Sequence, residues 1–156
     1  RPLDYVIAVL RALSPAVQID APYNLVAALE GMGHVPYSWQ PPKGYPEPAE
    51  AWINTNGLLE RWNFALNVSA AGEGYFSGLA LNTESLVPPV ETVGALVDAA
   101  AERLLHSPLS AADRDTLIAY VSRQNDANQR MTADLRREKL PGLLGLLLAS
   151  PYFQWY

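Results

Sequence analysis

The sequence predicts a mainly α fold, an irregular helical bundle of about five to seven helices with a long Pro/Gly-rich loop. Two observations carry this expectation. Apolar residues recur at three- and four-residue spacing through most of the chain, the period of a helix with one buried face. Between Gly31 and Pro48, by contrast, stand eight glycines and prolines, a density that neither a helix interior nor a central strand tolerates. With 156 residues, 49% of them hydrophobic, the chain has the size of one ordinary domain with a substantial core. Residues 1–156 are therefore expected to form a single helical domain.

The elements follow in order. Leu3, Val6, Ile7, Leu10 and Leu13 predict a first helix over about residues 2–14, with Pro2 where its missing N–H costs nothing. Leu25, Val26 and Leu29 predict a shorter helix that starts near Pro22 and stops at the Gly31/Gly33 pair. After the irregular loop a third helix is expected from Pro48 to about Ala70, with Trp52, Leu58, Leu59, Trp62, Ala65 and Leu66 as its apolar face. The glycine-rich stretch that follows reads as a connection with one weak strand turn at Tyr75-Phe76. Val90, Val93, Leu96, Val97, Ala100 and Leu104 mark the clearest helix, with Glu91 placed in its first turn. Ser110 and Asp113 form a capping pair for a partner helix carrying Leu117, Ile118 and Val121, so a helical hairpin spans about 89–124. Residues 123–139 are polar and mixed in charge, a solvated helical stretch or loop. Pro141 then starts or kinks a leucine-rich core helix that Ser150-Pro151 ends.

Composition narrows the function classes. The net charge is −5, and the basic residues gather no further than Arg136, Arg137 and Lys139. Nucleic acid and anionic membrane surfaces therefore find no electrostatic footprint. The chain has no cysteine, which removes disulfides, thiolate nucleophiles and Cys-ligated zinc. The apolar run Leu140–Ser150 is far short of the roughly 20 residues that a membrane-spanning helix needs.

Catalytic sets are equally scarce. The two histidines, His34 in a Gly-flanked loop and His106 at a helix end, sit in no motif and read as structural. Asp98/Glu102 and Asp113/Asp115 are local pairs on exposed helical faces rather than a convergent metal set. No phosphate-binding glycine loop follows a strand. Neither a metal nor a cofactor is expected, and an enzyme is the less favoured reading for this chain.

The segment that rises above this background is the loop and the helix after it. Trp52, Asn56, Glu60, Asn63 and Asn67 are spaced four, four, three and four residues apart, which lines them up in one longitudinal stripe. Asparagine is a poor helix former, so three of them in one stripe imply partners for their amides. The partners are either a sugar or peptide, or the carbonyls of the proline-rich loop, which Arg61 would also serve. On the first alternative Trp39, Tyr45, Trp52, Asn56, Arg61 and Asn63 are the ligand- or partner-binding residues, with aromatic faces stacking and amides fixing orientation. On the second they clamp the loop to the helix.

The stretch GHVPYSWQPPKGYPEPAEAWINTNGLLERWNFAL, with RPLDYVIAVLRAL upstream and GLLGLLLASPYFQWY at the end, resembles the carboxy-terminal part of a large bacterial family of uncharacterised proteins, domain of unknown function 1800. The more specific parts are the proline-rich loop leading to Trp52, the Leu58-Leu59-x-Arg61-x-Asn63-Phe64-Ala65 run, and Ala149-Ser150-Pro151-x-Phe153-Gln154. The turn before the tryptophan helix is a variant form here, Pro36-Tyr37-Ser38-Trp39 followed by Pro41-Pro42. The resemblance implies a predominantly helical, exported protein, located in the periplasm or at the cell surface, of which this chain, opening on Arg1-Pro2, is the carboxy-terminal fragment. It also implies a gene neighbourhood shared with a protein similar to the sulfatase and alkaline-phosphatase superfamily, and it brings no catalytic residues. The leading expectation is an interaction module that binds a protein partner or a polysaccharide. The alternatives are part of a hydrolase, or an accessory to a phosphatase- or sulfatase-like partner, and a purely structural domain.

Overall fold

A computed structural model of the chain describes residues 1–70, 79–122 and 125–154. Eight helices lie among them: α1 (Pro2–Leu13), α2 (Tyr23–Gly31), α3 (Thr55–Ser69), α4 (Thr83–Leu86), α5 (Val93–Leu104), α6 (Ala111–Val121), α7 (Ala133–Ala149) and α8 (Pro151–Gln154). A short antiparallel ribbon joins β1 (Val17–Ile19) to β2 (Leu79–Leu81), with Val17 opposite Leu81 and Ile19 opposite Leu79. The mainly α expectation therefore holds. The Tyr75-Phe76 strand turn lies outside the described residues.

The helices start where short polar side chains can take up the free amide groups of a first turn. Asn54, Thr92, Ser110 and Thr132 each accept a backbone N–H from three residues on, at 2.7, 3.2, 3.1 and 3.2 Å. The Thr92 cap places Glu91 outside α5, where the first-turn expectation had put it inside. The Ser110/Asp113 pair is present, and it is tied across to α8: the Tyr152 hydroxyl donates to Asp113 at 2.6 Å and accepts from the Ser110 amide at 3.0 Å. Hydrogen bonds from the Ser110 and Tyr152 hydroxyls hold the Asp113 carboxyl below the usual range.

α7 is the hub of the bundle, packing against α3, α5, α6 and α8. Leu140, Leu143, Leu144, Leu147 and Leu148 are fully buried along it, and the core around them takes Val9 and Leu13 from α1, Phe64 and Val68 from α3, Leu96 and Val97 from α5, and Ile118 from α6. The helix begins at Ala133 and carries Pro141 in its interior, so the expectation that Pro141 starts it is corrected. One lost amide bond is outweighed by leucines buried on the far side of the proline. α3 and α7 meet at Gly145, where a Cβ would stand 2.8 Å from Leu66 Cδ2 and 3.2 Å from Leu66 Cα. Glycine at that position is what lets the two helices close up.

The expected third helix is two pieces. A 3₁₀ turn covers Ala49–Trp52, the chain extends through Ile53 and Asn54, and α3 starts at Thr55. Its apolar face is also corrected. The buried residues of α3 are Gly57, Phe64, Ala65, Val68 and Ser69, whereas Leu58, Leu59, Trp62 and Leu66 remain 39–48% exposed.

Candidate functional site

The Pro/Gly loop from Met32 to Pro48 is held against the bundle by rings and backbone acceptors. Gly33 and Gly44 take φ values of +78° and +72°, which side-chain-bearing residues rarely adopt, and these bend the loop back on itself. Inside the bend His34, Tyr45 and Trp52 stack as one cluster, with centroid separations of 4.5 Å for His34–Tyr45, 4.8 Å for His34–Trp52 and 5.6 Å for Tyr45–Trp52. Trp39 lies on the outer side of Tyr45 at 4.8 Å. Each buried polar tip finds an acceptor: the Trp52 indole N–H donates to the Pro46 carbonyl at 3.0 Å and the Tyr45 hydroxyl to Val35 at 2.5 Å. Trp52 is 8% exposed and Trp39 41%, so of the two only Trp39 keeps a face to solvent.

His34 is buried in this cluster, and its Nδ1 accepts the Leu3 amide at 3.4 Å, which ties the loop to the first turn of α1. Burial lowers its pKa, Asp4 opposes the effect, and the Arg1 guanidinium adds to it. A histidine kept neutral in the folded state loses out in acid, because the unfolded chain takes up the proton first. Stability from His34 is therefore complete above the unfolded value of about 6.5 and is lost as pH falls below it towards the lowered folded value. Melting temperatures followed between about pH 8 and 5 should show this loss in the wild type and a flatter profile in His34→Gln. Equal slopes in the two proteins would remove His34 from the account.

α3 presents three distinct sides. The first is the polar stripe of Asn56, Glu60, Asn63 and Asn67, which faces α2; Glu60, Asn63 and Asn67 line with Ala27, Ala28 and Gly31 a recess of about 430 Å³. Trp52, expected to head this stripe, belongs to the separate 3₁₀ turn. Asn56 donates to the Gly31 carbonyl at 3.1 Å, at the end of α2 where the loop begins. Asn63 is exposed and makes no such bond to the loop, so of the stripe's amides it is Asn56 that reaches a loop-side acceptor.

The second side is buried and carries Phe64, Ala65 and Val68, with Arg61 in its midst at helical spacing. Tyr5 of α1 meets this side. Its ring packs edge-on to Phe64 at 6.2 Å and to Phe153 at 6.1 Å, and its hydroxyl lies 3.2 Å from the Arg61 carbonyl and 3.1 Å from that of Leu148. Burial drives the Tyr5 phenol well above its usual pKa, opposed by the Arg61 charge. The Arg61 guanidinium lies over the Tyr5 ring, 6.0 Å from its centroid. It does not serve the loop carbonyls, as the sequence had led one to expect. Its Nε is buried without a hydrogen-bond partner, and no ion pair involves Arg61 among the described residues.

The third side is the exposed row of Leu58, Leu59, Trp62 and Leu66, continued by Ile53 before the helix. Leu58 and Trp62 also wall a cleft of about 510 Å³ whose other boundaries include Ile53, Pro151 and Arg61. Sequence reasoning had assigned this row to the core. The available signal was an overfull circumference, since a helix with apolar residues at 58, 59, 62, 64, 65, 66 and 68 has more of them than one packed face accommodates.

The fold and this segment define a mainly α helical domain in which a proline-rich loop is stapled by aromatics and one helix leaves an apolar row uncovered. The chain belongs to the family described as Protein of unknown function (DUF1800), which it matches over residues 1–155. No curated protein and no solved structure matches it. No helix among the described residues is long and apolar enough to cross a membrane.

Proposed function

We propose that the chain is a helical interaction module whose partner is a protein docking on the outer row of α3. The observation that carries this reading is the row itself: Leu58, Leu59, Trp62 and Leu66 stand 39–48% exposed on one side of a single helix. Contiguous apolar side chains of that size cost solubility and are typical of contact surfaces. Aliphatic side chains offer a sugar little, whereas they match the apolar core of a protein interface. The contact group then comprises this row, with Arg61 at its margin, while Tyr45, Trp52 and Asn56 support it by fixing the loop, Trp39 lies on the outer side of Tyr45 and Asn63 belongs to the neighbouring recess. Polysaccharide binding, the second reading, rests on the open faces of Trp39 and Trp62.

Photo-crosslinking from position 58 in cells that make the protein tests the proposal, with position 102 on α5, also exposed, as the control. A discrete protein adduct is expected from position 58, absent from position 102 and lost in Trp62→Glu. Adducts that are the same from both positions and unaffected by Trp62→Glu would sink the reading, and chemical-shift changes confined to Trp39 and Trp62 on adding oligosaccharides would favour the polysaccharide instead.

A further inference from the structure

Two arginines of this chain have been drawn into the bundle, and they differ in what meets them. Arg136 is 6% exposed, and its guanidinium is fully engaged: Nε pairs with Glu84 at 3.2 Å, Nη1 donates to the Pro88 carbonyl at 3.2 Å and Nη2 to that of Val87. Arg61 is half-buried with the Tyr5 ring beneath it, and its Nε is enclosed with no hydrogen-bond acceptor among the described residues. A guanidinium cannot shed its charge in a protein, so the enclosed Nε–H keeps the cost of its lost water partner.

The surroundings of Arg61 make the missing group recognisable. On one side it borders the cleft walled by Ile53, Leu58, Trp62 and Pro151. On the other it borders a smaller recess of about 250 Å³ that Asp4, Tyr5 and Phe153 also line, with no ion pair between Asp4 and Arg61. A cation at the edge of an apolar cleft is complementary to a carboxylate with a bulky apolar group beside it.

We propose that the Arg61 cleft is a carboxylate-binding site, and that its occupant is a partner peptide in which an apolar side chain lies on Leu58, Trp62 and Pro151 while the adjacent carboxylate pairs with Arg61. This deepens the reading of α3 as a contact surface and rests on it, since Leu58 and Trp62 belong to both the exposed row and the cleft. The same chemistry is supplied by a glutamate side chain or by the carboxylate at a chain end.

The test follows the Arg61 Nε–H resonance by NMR in the full chain during titration with three peptides: acetyl-Ala-Phe-Glu-Ala-amide, acetyl-Ala-Ala-Phe with a free carboxylate, and acetyl-Ala-Phe-Gln-Ala-amide. A saturable shift is expected with one or both carboxylate peptides, and which of them binds tells side chain from chain end. The glutamine peptide is expected to bind at least about tenfold more weakly, because it offers no charge. Arg61→Met should abolish the difference between the glutamate and glutamine peptides, read from Trp62 shifts, and Arg61→Lys should retain part of it. Equal binding of these two peptides to the wild type, or an Arg61 resonance that no carboxylate peptide moves, overturns the proposal. Peptide binding without a crosslinked partner at position 58 would instead sink the protein-partner reading and leave the site.

Discussion

Arg136→Met is expected to destabilise the protein by about 2–4 kcal/mol, because it strands two backbone carbonyls that now receive the guanidinium. The same substitution at Arg61 is expected to leave stability unchanged or raise it by up to about 2 kcal/mol, since it removes an enclosed Nε–H that no acceptor among the described residues meets. Both variants keep an unbranched side chain of similar length, so packing around the stem is largely conserved and the comparison isolates the charged head. Denaturant unfolding of the two variants beside the wild type gives the answer. Destabilisation of similar size in both would mean that the Tyr5 ring beneath Arg61 is a sufficient partner, and the argument from an unmatched Nε–H would fall. The expected asymmetry, in turn, is what a residue kept for binding rather than for folding would show.

Phe64→Ala is expected to cost about 3–5 kcal/mol, the range for deleting a fully enclosed aromatic ring from a core. Phe64 is 1% exposed and packs edge-on against Tyr5, so the loss includes that ring contact as well as the cavity. For a chain of this size the melting temperature should fall by roughly 10 °C, readable by calorimetry. Leu59→Ala, on the outer side of the same helix, is expected to stay within about 0.5 kcal/mol of the wild type. Comparable losses in the two variants would mean that α3 is turned the other way about its axis, with the apolar row packed and the proposed contact surface gone.

The period of apolar residues in the sequence by itself determined the helical class, the positions of α1, α2, α5 and α6, and the leucine-rich core of α7, because amphipathic spacing and capping residues act over a few neighbours. The Ser110/Asp113 cap and the irregular loop after Gly31 were legible for the same reason. What it could not determine was anything set by a distant partner. β1 is three residues long and exists because β2 lies beside it, more than fifty residues later in the chain. Pro141 is tolerated inside α7 because leucines on both sides of it are buried by other helices. The orientation of α3 was decided by the burial of Phe64, Ala65 and Val68, with Phe64 edge-on to Tyr5, and that fit left the other apolar row outside. The same holds for the site residues. Spacing aligned Asn56 with Asn63, but only the packing of α2 gave Asn56 its acceptor and Asn63 none from the loop. Of two arginines alike in sequence, one is satisfied and the other keeps an Nε without an acceptor among the described residues, since a guanidinium's partners are chosen by which carbonyls and carboxylates the tertiary structure carries to it.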